Sequence, residues 1–211
     1  MLFDQSGNFH IQQLFSYPRD NYQKLKEEAL KCQRCQLRDG CNGVVMGEGS
    51  LDNRIMLIGE GPGATEDRLG RPFVGQAGQL MDKIFDSVDL KREEIYLTNV
   101  VKCRPPNNRV PHKNEFKSCV SILMAEIELI NPKVIVTLGS TATNFLINPS
   151  DSITKIRGNW IQRGEIFFLP TFHPAYLLRN SKMKKYSWFD FKLIKKAAER
   201  INELSSSGKE K

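Results

Sequence analysis

The sequence predicts an α/β fold in three layers, αβα, with a mostly parallel sheet covered by helices on both faces. Four short apolar runs have the length and near-continuous hydrophobicity of strands buried on both sides: Arg54–Ile58 (RIMLI), Ile95–Thr98 (IYLT), Lys133–Leu138 (KVIVTL) and Ile166–Leu169 (IFFL). Between them lie runs with helical spacing, Leu80–Ser87, Lys113–Ile130 and Ser140–Leu146, and strands that alternate with helices build parallel crossover units. The 211 residues show no internal repeat and no inter-domain linker, and they suffice to bury a full core as one unit.

Taken in order, residues 1–20 mix polar and aromatic side chains without a period and read as a loosely attached extension. Asn21 is a cap for a helix running to Lys31, with Tyr22, Leu25, Ala29 and Leu30 on helical spacing. This helix delivers Cys32 and Cys35 and is followed by a turn-rich link, Arg38 to Asn53, that contains Cys41. The domain proper is expected to span residues 21–204. After the first strand, Gly59–Gly78 (GEGPGATEDRLGRPFVGQAG) has neither helical nor strand period and concentrates glycine, proline and acidic residues around one aromatic, Phe73. In an open α/β sheet the loop leaving the carboxyl end of a strand is where ligands bind. The last run, Tyr186–Leu204, spaces Phe189, Leu193, Ala197, Ile201 and Leu204 as one apolar stripe of a core-packing helix, and residues 205–211 read as a flexible tail.

Hydrophobic residues make up 40% and charged residues 26%, ordinary for a globular chain, and no run of about eighteen apolar residues is present to form a membrane span. The start, MLFDQSGNFHIQQLF, lacks the basic head and continuous apolar core of a secretion signal, so a cytoplasmic, nucleoid-associated location and a monomer are expected. A net charge of +7 suits a polyanionic partner such as nucleic acid.

Five cysteines in such a chain point to metal or catalysis rather than disulfides. Cys32-Gln-Arg-Cys35 is a C-x2-C pair, Cys103 and Cys119 form a second pair spaced C-x15-C, and two local pairs far apart in sequence can close a four-thiolate site. Ligand count does not separate zinc from an iron–sulfur cube, although the wide separation of the pairs leans toward the cube. A thioredoxin-type dithiol would open a helix after a strand, whereas this pair follows a helix. Cys41 fits neither pair and reads as a free thiol.

Gly59-Glu60-Gly61-Pro62-Gly63 invites a phosphate-loop reading that fails in detail. It lacks Gly-Lys-Ser/Thr, and the dinucleotide pattern is broken by Ala64 and lacks its helix start. What remains is a backbone able to approach a flat ligand closely, with Glu60 and Glu66 beside it and Phe73 as a stacking face. Asn99 ends the second strand, and its amide offers the donor and acceptor that complement a pyrimidine edge. Arg104 and Arg109, in a proline-stiffened loop, read as phosphate contacts. His173 ends the fourth strand on the same sheet edge as Glu60 and Asn99, so three polar residues from three strand ends are expected to converge on one pocket.

The motifs GEGPG-x-x-ED, GRPFVG-x-AG, TNVVKCRPP-x-NR-x-P, ITKIRGNW and HPAYLLR occur in order, and over Tyr22–Leu204 the chain resembles the family 4 uracil-DNA glycosylases, the iron–sulfur branch of the uracil-DNA glycosylase superfamily. The resemblance implies a four-stranded parallel sheet, a [4Fe-4S] cluster on Cys32, Cys35, Cys103 and Cys119, and excision of uracil from single- or double-stranded DNA. It implies that Phe73 stacks on the base, that Asn99 reads its Watson–Crick edge, and that His173 donates to the carbonyl oxygen next to the glycosidic nitrogen. Glu60 and Gly61 match the strip beneath the base, and Pro62 is implied as a further substrate-binding residue. Glu66 matches the residue near the C5 position that would exclude thymine, and Leu177 aligns with the wedge that fills the hole left by the flipped base. Arg179, with Lys182, Lys184 and Lys185, would hold phosphates. A better-known branch of the superfamily carries a catalytic aspartate and a tyrosine where this chain has Gly61 and Gly63, which leaves Glu60 as the carboxylate to steer water or stabilise the sugar cation. The alternative is a uracil-DNA capture protein with little turnover. The relative that captures DNA covalently uses a histidine in a basic insertion after the second strand, which Val101–Pro111 lacks; His112 stands beyond the final proline.

Overall fold

The computed structural model describes residues 17–148, 150 and 152–207. Eight α-helices and six strands are present among the described residues: α1 (Tyr22–Leu30), β1 (Glu48–Gly49), β2 (Ile55–Gly59), α2 (Ala64–Leu69), α3 (Gln76–Ser87), β3 (Tyr96–Asn99), α4 (Lys113–Ile130), β4 (Val134–Leu138), α5 (Gly139–Leu146), α6 (Ile153–Ile156), β5 (Ile161–Arg163), β6 (Ile166–Thr171), α7 (Pro174–Arg179) and α8 (Lys184–Ser207). The sheet order is β1-β3-β2-β4-β6-β5. Its four central strands are parallel, as expected, but β1 and β5 pair antiparallel at the two edges. The sheet is therefore six-stranded and mixed, correcting the expected four-stranded parallel sheet. The two edge strands are two and three residues long and part-exposed, too short for any hydrophobic period.

The central strands are buried on both faces, and their alternation sorts the core. Ile55 and Leu57 of β2 face α3, α7 and α8 through Met81, Phe85, Leu177, Phe191 and Ile194. Met56 and Ile58 face α4 and α5 through Val120, Leu123, Ala142 and Leu146. A third apolar cluster packs α1, through Leu25 and Ala29, onto Ile122 and Ala125 of α4 and contains the cysteines. Asn21 caps α1 as expected, its Oδ1 accepting from the Lys24 amide at 3.0 Å.

Several expectations need correction. The Gly59–Gly78 stretch contains a helix, α2, which starts directly after Gly63 and ends at the left-handed Gly70. In α8 the buried side chains are Phe191, Ile194 and Ala198, while Phe189, placed in the apolar stripe, is 58% exposed. Ser187 and Asp190 share the buried face, and polar residues there masked its true phase. Of the segment read as a loose extension, residues 1–16 lie outside the described residues, and Tyr17 is buried against the cysteine cluster with the Arg34 guanidinium 4.4 Å from its ring centroid. Residues 205–207 continue α8, and 208–211 lie outside the described residues.

Candidate active site

At the carboxyl edge of the central strands lies a cavity of about 500 Å³. Glu60, Gly61, Pro62, Glu66, Phe73, Asn99 and His173 all line it. Parallel register puts Gly59, the last residue of β2, beside Asn99, the last of β3. A β-carbon built on Gly59 would lie 2.5 Å from Asn99 Oδ1, 2.7 Å from Phe73 Cζ and 3.4 Å from His173 Nε2. Three side chains from three strand-end loops therefore meet over one bare backbone position, which explains the glycine there.

Asn99 is buried, and its Oδ1 has no hydrogen-bond partner. A buried acceptor without a donor is costly, and a few such groups in a native protein mark ligand positions. His173 caps the short helix α7: its Nδ1 accepts from the Ala175 amide at 3.1 Å. That bond leaves the neutral ring's proton on Nε2, the nitrogen nearest Gly59. Burial, reinforced by the Arg179 charge, lowers the His173 pKa to about 4, so the ring is a neutral donor at physiological pH.

Phe73 sits with φ 52°, left-handed backbone that a bulky residue adopts only where its surroundings impose it. Two contacts impose it. Glu66 Oε1 accepts the amides of Val74 at 3.0 Å and Gly75 at 2.7 Å, and the Phe73 carbonyl presses onto α3 where Gly78 offers no side chain; a β-carbon there would be 1.8 Å from that oxygen. The Phe73 ring is tilted 32° to that of His173 at a centroid distance of 6.1 Å. Glu66 Oε2 lies 2.7 Å from where a β-carbon on Gly63 would be, so this carboxylate occupies the space a larger residue at 63 would take. A β-carbon on Gly61 would come 2.8 Å from Val101 Cγ2.

Glu60 is part-buried, which raises its pKa against the hydrogen bond from the Thr141 hydroxyl that lowers it. Thr141, in the first turn of α5, lines the same cavity and was missed from sequence; the signal available was its place just past the end of the third apolar run.

The basic residues divide. Arg179 is exposed and lines the cavity, and Lys182, Lys184 and Lys185 are exposed beyond it. Arg109 lines the cavity and pairs through its two terminal guanidinium nitrogens with Glu115, at 2.8 and 2.6 Å, bracing the start of α4. Arg104 donates to Asn108 at 2.8 Å and is not among the cavity's lining residues. Leu177 lies on the inner face of α7. It is fully buried among Met81, Phe85 and Phe191, because α7 turns that face to the core, and Leu178 beside it is 44% exposed.

Cys32, Cys35, Cys103 and Cys119 line one small cavity beneath α1 and α4. Burial pushes the Cys119 thiol up to about 12, raises Cys103 still further and raises Cys35. The Lys102 amide donates to Cys119 Sγ at 3.2 Å. Among the described residues no three His, Cys, Asp or Glu side chains stand close enough to share one ion. Cys41, read as a bystander, packs against the same cluster.

A pocket at the carboxyl edge of a parallel sheet, walled by a phenylalanine ring, a buried amide and a neutral histidine, belongs to a protein that holds a flat heterocycle. The model of the uracil DNA glycosylase superfamily matches residues 46–196. The type-4 uracil-DNA glycosylase of Thermotoga maritima is 48% identical over 169 residues, 78% of this chain and 87% of that protein. That of Sulfurisphaera tokodaii is 42% identical over 188 residues, 85% of this chain and 86% of that protein. The chain belongs to the type-4 uracil-DNA glycosylases of that superfamily. No helix among the described residues is long and apolar enough to cross a membrane.

Proposed function

We propose that the pocket takes a uracil flipped out of DNA and that the protein hydrolyses its N-glycosidic bond. The observation that carries this reading is the buried, unpartnered Asn99 Oδ1, which meets the Phe73 ring and His173 Nε2 over Gly59. It is an acceptor awaiting the N3–H of a pyrimidine whose neighbouring carbonyl oxygens meet donors, with Nε2–H of His173 directed to the one next to the glycosidic nitrogen. Flipping costs roughly a few kcal/mol, of which stacking on Phe73 returns about 1–3.

Bond cleavage leaves charge on two fragments, an anionic base and a cationic sugar. His173 stabilises the first by donation from a fixed position on the pocket wall. Glu60 is the carboxylate on hand for the second, or for orienting the water that attacks it; its raised pKa marks a group ready to accept a proton. Arg179, Lys182, Lys184 and Lys185 form the phosphate-binding side, with Arg104 on the opposite loop. Glu66 fills the space beside Gly63, and we assign it the exclusion of a C5 methyl group. Release of free base from oligonucleotides carrying uracil, thymine or cytosine tests both levels. Wild type should release uracil alone, and Glu66→Ala should add measurable thymine release; a protein–DNA adduct stable to boiling in detergent, in place of free uracil, would instead indicate capture. Thymine discrimination unchanged in Glu66→Ala would remove that role alone.

Cys32, Cys35, Cys103 and Cys119 would hold a [4Fe-4S] cluster. Support comes from four thiols, two buried and two half-buried, that line one cavity. When bound, the cluster supplies a cross-link between the end of α1 and the Cys103–Cys119 segment. Protein purified without oxygen should be brown, with broad visible absorption that disappears on iron removal; a colourless protein carrying stoichiometric zinc would overturn this assignment.

A further inference from the structure

We propose that Lys102 is a positioning residue that fixes the Asn99 amide over the pocket and ties it to the cysteine site. The inference rests on the reading of Asn99 as the group that recognises uracil. Lys102 is 1% exposed and Glu126, its partner on α4, is 0% exposed. Its ammonium has three protons and three acceptors: Glu126 Oε2 at 2.5 Å, Thr98 Oγ1 at 2.6 Å and the Asn99 carbonyl at 2.8 Å. The two residues that end β3 are thus held from behind by one cation, with the Asn99 side chain left facing the cavity. Glu126 gathers the rest of the frame, accepting from Thr98 at 2.9 Å, Tyr96 at 3.0 Å and the Gly47 amide at 3.0 Å.

The same lysine is held at its backbone by the cysteine site. Its amide donates to Cys119 Sγ at 3.2 Å, its carbonyl accepts from Val45 at 2.7 Å, and Cys103 is the next residue. Cys119 and Glu126 lie seven residues, about two turns, apart on one face of α4. They grip Lys102 at its amide and at its ammonium. Meanwhile the Val100 and Val101 amides donate to the carbonyls of Gly59 at 2.9 Å and Glu60 at 3.2 Å, so the segment set by Lys102 also carries the floor of the pocket.

Ordinary stability is a weak reason for this arrangement. A buried ion pair can often be replaced by apolar residues of similar size without loss. What an apolar replacement does not reproduce is the tether from Nζ to the Asn99 carbonyl. Catalysis is sensitive to such placement, since a displacement of about 1 Å in a reacting geometry can cost about 10²-fold.

The test compares Lys102→Met, the double variant Lys102→Met/Glu126→Gln and Asn99→Ala in the cluster-loaded protein. The single lysine variant strands a buried carboxylate and is expected to melt early, so the double variant carries the decision. It should keep a cooperative melt and the visible absorption of wild type. Its affinity for free uracil by calorimetry should fall at least tenfold and its single-turnover excision about 10²-fold. A folded, brown double variant with wild-type uracil affinity and rate overturns the assignment of Lys102. If Asn99→Ala itself binds uracil as wild type does, the base-reading role falls first, and this inference falls with it.

Discussion

His173→Ala is expected to slow single-turnover excision of uracil by about 10²–10³-fold, the cost of losing one preorganised donor to a developing oxyanion. The local geometry leaves that ring little choice of role. Its Nδ1 is occupied as an acceptor by the Ala175 amide, and its Nε2 is the nitrogen that meets Asn99 and Phe73 over Gly59. A pKa of about 4 keeps it neutral, so it polarises the base carbonyl without having to lose a proton. Two readouts separate chemistry from folding. Removing the cap on α7 should lower stability by about 0.5–2 kcal/mol, a small effect beside the rate. The pH dependence carries a defined sign: the unfolded histidine takes up a proton near 6.5 while the folded one resists until about 4, so stability declines as pH falls from about 6.5 to about 4. His173→Ala should flatten that part of the profile. An excision rate equal to wild type removes His173 from the chemistry.

The four parallel strands were legible because burial on both faces makes each one a run of apolar residues, and their ends then put Glu60, Asn99 and His173 on one edge. The edge strands were not, since Glu48–Gly49 and Ile161–Arg163 are defined by pairing and not by their own composition. Leu177 shows what a motif leaves open. The motif fixes its place in α7, but which of Leu177 and Leu178 faces solvent depends on how that helix lies against Met81 and Phe85. Arg109 shows the same: its loop position does not reveal that the turn into α4 brings the glutamate six residues on, Glu115, beside it. Glu126 was invisible for a related reason, because a carboxylate inside an apolar helical run has no meaning until Lys102 and Thr98 are seen to meet it.

Asp190→Ala is expected to lower stability by about 3 kcal/mol, near 6–12 °C in melting temperature for a chain of this size, and to slow excision although Asp190 does not line the pocket. Asp190, 1% exposed on the inner face of α8, accepts from Thr171 Oγ1 at 2.6 Å and from Arg157 Nε at 2.9 Å, with a second bond from the Arg157 fork. Thr171 ends β6 two residues before His173. Arg157 donates onward to the Tyr186 carbonyl at 2.7 Å and lies over the Phe172 and Tyr186 rings at 5.6 and 5.3 Å. Gly158, at φ 74°, leaves room for the carboxylate: a β-carbon there would stand 2.6 Å from Asp190 Oδ1. Three segments distant in sequence, around Arg157, Thr171 and Asp190, are thereby joined next to the strand end that leads to His173. Burial raises the Asp190 pKa against the hydrogen bonds that lower it, and a buried ion pair is by itself weak evidence of stability. Removing one partner is another matter, because it leaves a largely buried guanidinium without its counter-charge. Adding Arg157→Met to Asp190→Ala should therefore recover much of the melting temperature without recovering the rate, since β6 still lacks its anchor. A single Asp190→Ala variant that melts within a degree of wild type would show that the lock carries no strain-bearing load, and full activity in the double variant would show that His173 holds its place without it.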